Sequence, residues 1–226
     1  PPVYPLMLAP ILRWGGMNLE AMKVETMLFL PAALFAIFLL FRKELQFRHA
    51  MALIALLGFN PFLWDFKDGI RSDLPFLFFV YLSFLGLRLA NEAAASRRSL
   101  WPGILLGGIA ACLACGTRTL GFLIVPSLLI SDMAVHRKPT RLAVAVTMMC
   151  AFWVVLQSKL LGRDTSYFDQ FAGWSPRVIL DNSIYAASLA HFWANGYSNA
   201  AAAVLCLVFC GLAARGYLAR ATERVT

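Results

Sequence analysis

The feature that most constrains this chain is the recurrence, along its whole length, of apolar runs of about 16 to 22 residues parted by short charged clusters. A water-soluble core has little use for helices that are apolar all round, whereas a bilayer-crossing helix requires them. A single signal segment does not explain a pattern that repeats. Of 226 residues, 60% are hydrophobic and 14% charged, so no stretch offers the material of a separate soluble domain. The expected fold class is all-α: a polytopic transmembrane helix bundle with about seven crossings and short interfacial helices, one transmembrane domain over 1–226.

The predicted crossings are centred on 27–41, 50–64, 74–90, 102–116, 120–133, 142–160 and 200–214. Several are short for a hydrocarbon layer of about 30 Å, so they need flanking aromatics, bilayer thinning or burial against neighbouring helices. A short helix over 6–14 is expected at the outer surface. After Pro176, apolar residues at helical spacing (Val178, Ile179, Ile184, Leu189) predict an amphipathic helix lying on the membrane. Position 1 is Pro, and Pro1, Pro2, Val3, Tyr4 and Pro5 read as the middle of a loop, so the chain is expected to be a fragment of a longer one.

Charge sets the expected orientation, because Lys and Arg of short loops stay on the cytoplasmic side. One set of loops holds Arg42, Lys43, Arg48, Arg88, Arg97, Arg98, Arg137, Lys138, Arg141, Arg215, Arg220 and Arg224, twelve cations against the four acids Glu44, Glu92, Asp132 and Glu223. The other set holds eight cations and eight acids. The whole net charge of +8 thus falls on one face, with the N-terminus outside and the C-terminus cytoplasmic. A basic balance produced by topology is no argument for nucleic-acid binding. The partner that these loops imply is the lipid bilayer.

Cys112, Cys115, Cys150, Cys206 and Cys210 all lie in apolar runs, where they read as small packing residues. Cys112 and Cys115 form a CxxC with no second Cys or His pair beside it, so no metal site is expected, and no residue pattern names a cofactor. His49, His136 and His191 are far apart and read as interface residues.

The densest polar cluster is Asp65, Lys67, Asp68, Gly69, Arg71, Ser72 and Asp73, between two apolar runs on the outer face. One reading is a solvated loop in which Ser72 or Asp73 caps the next helix, with Pro75 in its first turn. The other is that Asp73, at the positive end of a helix and beside Arg71, orients a polar substrate, with Asp65 and Asp68 as weaker candidates. A second interruption, Thr117, Arg118 and Thr119, has almost no loop around it. Arg118 either snorkels to the interface or presents its guanidinium to an anionic lipid phosphate.

These residues carry a resemblance. The stretch Pro2, Val3, Tyr4, Pro5, Leu6, Met7, Leu8, Ala9, Pro10, then Arg71, Ser72, Asp73, Leu74, Pro75, Phe76, Leu77, Phe78, Phe79, then Thr117, Arg118, Thr119, Leu120, Gly121 with Pro126, resembles in order and spacing the membrane region of the glycosyltransferase C superfamily. Within it, the chain is similar to the family of dolichyl-phosphate-mannose protein mannosyltransferases and the lipid A aminoarabinose transferase (glycosyltransferase family 39-like), over about 1–160. The resemblance implies a bacterial inner-membrane protein that transfers a sugar, with inversion, from a polyprenyl-phosphate-linked donor to an acceptor at the outer surface. It implies a catalytic role for Asp73 as the family's second outer-loop acid, a donor-phosphate role for Arg118 and a substrate-side place for Tyr4 near the catalytic cavity, while Asp68 is a catalytic candidate from the polar cluster itself. Lys67 and Arg71 join the phosphate candidates by charge and position. The family's catalytic acid belongs to a first outer loop that would precede Pro1, so the chain by itself is expected not to turn over. The competing classes are a transporter or channel subunit, which would put ionisable groups near the bilayer midplane, and a non-catalytic scaffold that binds lipid or protein.

Overall fold

The computed structural model describes residues 2–60, 63, 69–137, 139–160, 208, 211 and 215. The chain divides into two compact units, one formed by Pro1–Phe59 and Leu63–Gly162, the other by Asn60–Phe62 and Arg163–Thr226. The account below concerns the first. The predicted crossing at 200–214 and the amphipathic stretch after Pro176 lie outside the described residues, apart from Val208 and Gly211.

Among the described residues every regular element is helical: α1 (Val3–Gly15), α2 (Leu19–Phe41), α3 (Phe47–Gly58), α4 (Asp73–Ala95), α5 (Trp101–Thr117), a 3-10 turn (Thr119–Leu123), α6 (Ile124–His136) and α7 (Arg141–Leu160). Local chemistry explains several boundaries. Asn18 caps α2 by accepting a hydrogen bond from the Ala21 amide at 3.0 Å, and Glu20 complements the positive end of that helix. Pro102 opens α5, where its missing N–H costs nothing. Thr140 starts α7 by accepting from the Ala143 amide at 3.3 Å, while its own N–H and hydroxyl donate to Asp132 Oδ2 at 2.7 and 2.6 Å.

Among the described residues two helices, α2 and α4, are long and apolar enough to cross a membrane, each with 23 residues and with mean hydropathies of 2.2 and 1.5. At 1.5 Å per residue each spans about 35 Å. The other predicted crossings in the described region coincide with shorter helices. The run 50–64 is carried by α3, which stops at Gly58, and 120–133 is split between the 3-10 turn and α6. The predicted surface helix exists as α1, and its Val3 is buried in the core rather than resting on the surface.

Large apolar side chains are exposed on the described helices as well as buried in their core. On α2, Val24, Leu28 and Phe35 form an exposed stripe while Met22, Thr26, Ala33 and Ile37 are buried on the opposite side. On α7, Met148, Phe152 and Val155 are exposed while Val146, Cys150 and Gln157 are buried. Large apolar side chains pointing outward at mid-helix, with Thr26, Ser83 and Thr117 inside, suit a hydrocarbon surrounding.

Helix α5 is the hub, packing against α1, α4, α7 and the 3-10 turn, and its most extensive partner is α4. That contact is made by small residues. A Cβ added at Gly86 would lie 2.6 Å from the Gly107 Cα, and one added at Gly103 would lie 2.5 Å from the Ala90 nitrogen. The backbones touch, and Ser83 Oγ donates to the Gly107 carbonyl at 2.9 Å across the seam. Close backbone approach and an interhelical hydrogen bond hold the pair, the kind of contact that also joins helices in lipid. Between α2 and α4, Phe29 packs on Phe78 and Phe79 with ring centroids 5.6 and 6.0 Å apart.

Candidate functional site

At the end of the bundle where α4 begins and α5 ends, an open cleft of about 250 Å³ is lined by Tyr4, Pro5, Ser72, Thr117, Arg118 and Thr119. Three local decisions build it. Thr117 closes α5, its hydroxyl donating back to the Leu113 carbonyl at 2.7 Å. Arg118 then takes an extended conformation (φ −144°, ψ 146°), which swings its side chain out of the helical path. Gly121 lets the following 3-10 turn lie directly on the last turn of α5, where an added Cβ would meet the Ala114 carbonyl carbon and the Cys115 nitrogen at 2.5 Å.

The Arg118 guanidinium forms a direct ion pair with Asp73, 45 residues away in sequence. Neither side chain is sealed from solvent, with 38% of Arg118 and 26% of Asp73 exposed. Two details of the sequence reading of this region are corrected here, the side-chain cap and the cation beside Asp73. Ser72 occupies the capping position of α4 but its side chain makes no capping bond. Asp73 is the first helical residue, and its carboxylate takes Arg118, not Arg71, as its cation. Arg71 is exposed and lies back over Gly69, 3.1 Å from where that residue's Cβ would be, outside the lining of the cleft. Arg118 thus has an anionic partner at this end of the bundle, with part of its side chain still exposed.

Tyr4, on α1, enters the same region. Its hydroxyl is hydrogen-bonded to Thr26 Oγ1 at 2.8 Å, and Thr26 Oγ1 is in turn 2.9 Å from the Met22 carbonyl that accepts from it, so the phenol donates to Thr26. Burial raises the Tyr4 pKa above the usual tyrosine value, the Thr26 bond works against that, and the negative charges of Glu25 and Asp73 add to the rise. The phenol is therefore neutral at physiological pH. Replacing Tyr4 with Phe is expected to cost about 1 kcal/mol in bundle stability, as for one lost hydrogen bond. Thr26→Val should cost a similar amount, and the double variant little more than either. Denaturation in mixed micelles reads the cycle, and fully additive losses would show that the bond contributes nothing.

No family model, curated protein or solved structure matches this chain. Its chemistry is therefore read from the cleft alone. Arg118 has five N–H donors and Asp73 occupies one side of the fork, which leaves donors for an anion; Ser72 and Thr119 add hydroxyls. Asp68 and Lys67, with Asp65, lie outside the described residues.

Glu25 is the residue that reading the sequence passed over, counted only among the outer-face charges. It sits in the apolar helix α2, its Oε2 is buried without a hydrogen-bond partner, and its charge is felt at Tyr4. An ionisable side chain inside an apolar helix is the signal that would have found it. The far end of the bundle is basic and charged: Lys43 pairs with Glu92 at 2.5 Å, and Arg88 with Glu92 at 3.0 Å and Glu44 at 3.6 Å.

Proposed function

We propose that this chain is the membrane-embedded region of a glycosyltransferase that moves a sugar from a polyprenyl-phosphate donor to an acceptor at the extracytoplasmic face. The observation that supports the reading is the meeting of Tyr4 and Arg118 at one cleft, with Asp73 paired to Arg118 beside it, at the end of the bundle away from the basic cluster. Asp73 and Glu92 stand nineteen residues apart on α4, about 28 Å along the axis, which matches the hydrocarbon thickness of a bilayer. A cleft at Asp73 thus lies at headgroup depth.

Such an enzyme holds an amphiphilic donor at the bilayer boundary. The polyprenyl chain runs in the lipid, and the phosphate takes the free N–H groups of Arg118. As the bond from the anomeric carbon to the phosphate oxygen breaks, charge grows on that oxygen, and a donor already in place stabilises it without reorganisation. Asp73 fixes the plane of the guanidinium. Asp73 and Asp68 are the carboxylates assigned to the acceptor hydroxyl's proton, with Lys67 as a further phosphate contact. The rest of the reading is seven crossings in a bacterial inner membrane, with the N-terminus outside.

Orientation has its own test. Single cysteines at Asp68 and Arg97, in a background without native cysteines, are expected to react with an impermeant maleimide from opposite sides of the membrane. Labelling of both from one side removes the topology, and the donor site with it.

A further inference from the structure

At the basic end of the bundle a second cleft, of about 110 Å³, lies between the last turns of α2 and α4 and is lined by Leu39, Arg42, Lys43, Leu85, Arg88, Leu89 and Glu92. We propose that it is a binding site for the headgroup of an anionic phospholipid in the leaflet opposite the Arg118 cleft. The inference rests on α2 and α4 crossing the bilayer and is independent of sugar transfer.

Charge is the first argument. Three cations, Arg42, Lys43 and Arg88, meet two carboxylates, Glu44 and Glu92. Lys43 and Arg88 share Glu92, Arg88 also approaches Glu44, and Arg42 has no ionic partner among the described residues. One positive charge is left over at the cleft. Cations at a helix C-terminus are favourable in themselves, which accounts for Arg42 and Lys43 after α2 but not for Arg88, which lies within α4.

An unanswered donor is the second. Arg88 is largely buried, with its side chain 19% exposed. Its Nε donates to Glu92 Oε1 at 3.0 Å, but Nη1 is buried with no hydrogen-bond partner, and Glu44 at 3.6 Å is too far to supply one. A guanidinium N–H without a partner takes an acceptor oxygen once the Arg88 side chain turns it toward the cleft that this residue lines. The cleft has room for about four water-sized groups, enough for a phosphate and its oxygens.

The walls are the third argument. Leu39, Leu85 and Leu89 belong to the same cleft, and Leu89 is partly exposed toward the outside of the bundle. Apolar walls beneath a ring of cations, at a depth one bilayer away from Asp73, match an acyl chain below a phosphodiester and not a free ion in water. Basic pockets between membrane helices on the cation-rich side recognise lipid headgroups in this manner.

The full chain in phosphatidylcholine vesicles, probed with spin-labelled phosphatidylglycerol and spin-labelled phosphatidylcholine, tests this. Phosphatidylglycerol is expected to associate more strongly, and Arg42→Gln is expected to lower that preference about fivefold, as for one cation lost near a membrane surface. Arg42→Lys should keep most of it, and Arg13→Gln, in the last turn of α1, should leave it unchanged. Arg88→Gln also breaks the ion pairs with Glu92 and Glu44, so the exposed Arg42 is the deciding position. Equal association of the two lipids, or a preference that survives Arg42→Gln, overturns the proposal. Displacement of the labelled lipid by millimolar inorganic phosphate overturns it too, by assigning the cleft to a free anion.

Discussion

Valine in place of Gly86 is expected to destabilise the helix bundle by about 3 kcal/mol, the largest stability change we foresee for a single substitution. At this position a Cβ meets backbone, the Gly107 Cα at 2.6 Å, and backbone cannot turn aside as a side chain can. The α4–α5 axes have to separate, which also breaks the Ser83 to Gly107 hydrogen bond and opens the face that buries Ala90 and Ile104. Gly108 is the matched control on the same helix. A Cβ there meets only the flexible Met149 thioether, so Gly108→Ala should be nearly neutral, helped by the better helix propensity of alanine. Denaturation by titrated SDS in mixed micelles distinguishes the two. Equal stability of Gly86→Val and the parent chain would mean that α4 and α5 do not touch along this seam.

Loss of Arg118 should be felt in binding and hardly at all in stability. Arg118→Ala is expected to weaken binding of polyprenyl phosphate to the chain in nanodiscs by about 10- to 100-fold, the range for a charge-assisted hydrogen bond to phosphate. Arg118→Lys should recover part of that, because it restores the charge without the planar fork. Asp73→Asn should cost less, about 10-fold, since it leaves Arg118 in place but frees its orientation. The fold should tolerate all three, because a partly exposed ion pair contributes about 1 kcal/mol or less. Native mass spectrometry with a matched polyprenyl alcohol as the uncharged comparison gives the readout. Undiminished phosphate binding in Arg118→Ala would end the assignment of this cleft to a lipid phosphate.

Helix existence was readable in the sequence because hydropathy is a local property. The predicted run 74–90 lies inside α4, and 102–116 differs from α5 by one residue at each end. The break at Thr117, Arg118 and Thr119 was equally visible, since a charged residue between two apolar runs has to mark an end or a site. Lengths were less readable. Six of the predicted runs meet helices in the described region, yet only α2 and α4 are both long and apolar enough to cross by themselves. Helix α3 ends at Gly58, short of the predicted 64, and 120–133 is divided by a 3-10 turn, whereas α5 and α7 carry the whole of their predicted runs.

The sequence by itself determined the helical class and the placing of charge between apolar runs, for both follow from residue type and spacing along the chain. Tertiary structure alone decided that Asp73 answers Arg118 rather than Arg71, that Tyr4 meets Thr26, and that Arg88 reaches Glu44 as well as the nearby Glu92. It also decided that Gly86, Gly103 and Gly107 form a seam. Those choices depend on which helix faces which, and that is set by side-chain volume at contacts between distant segments, a quantity that no local pattern contains.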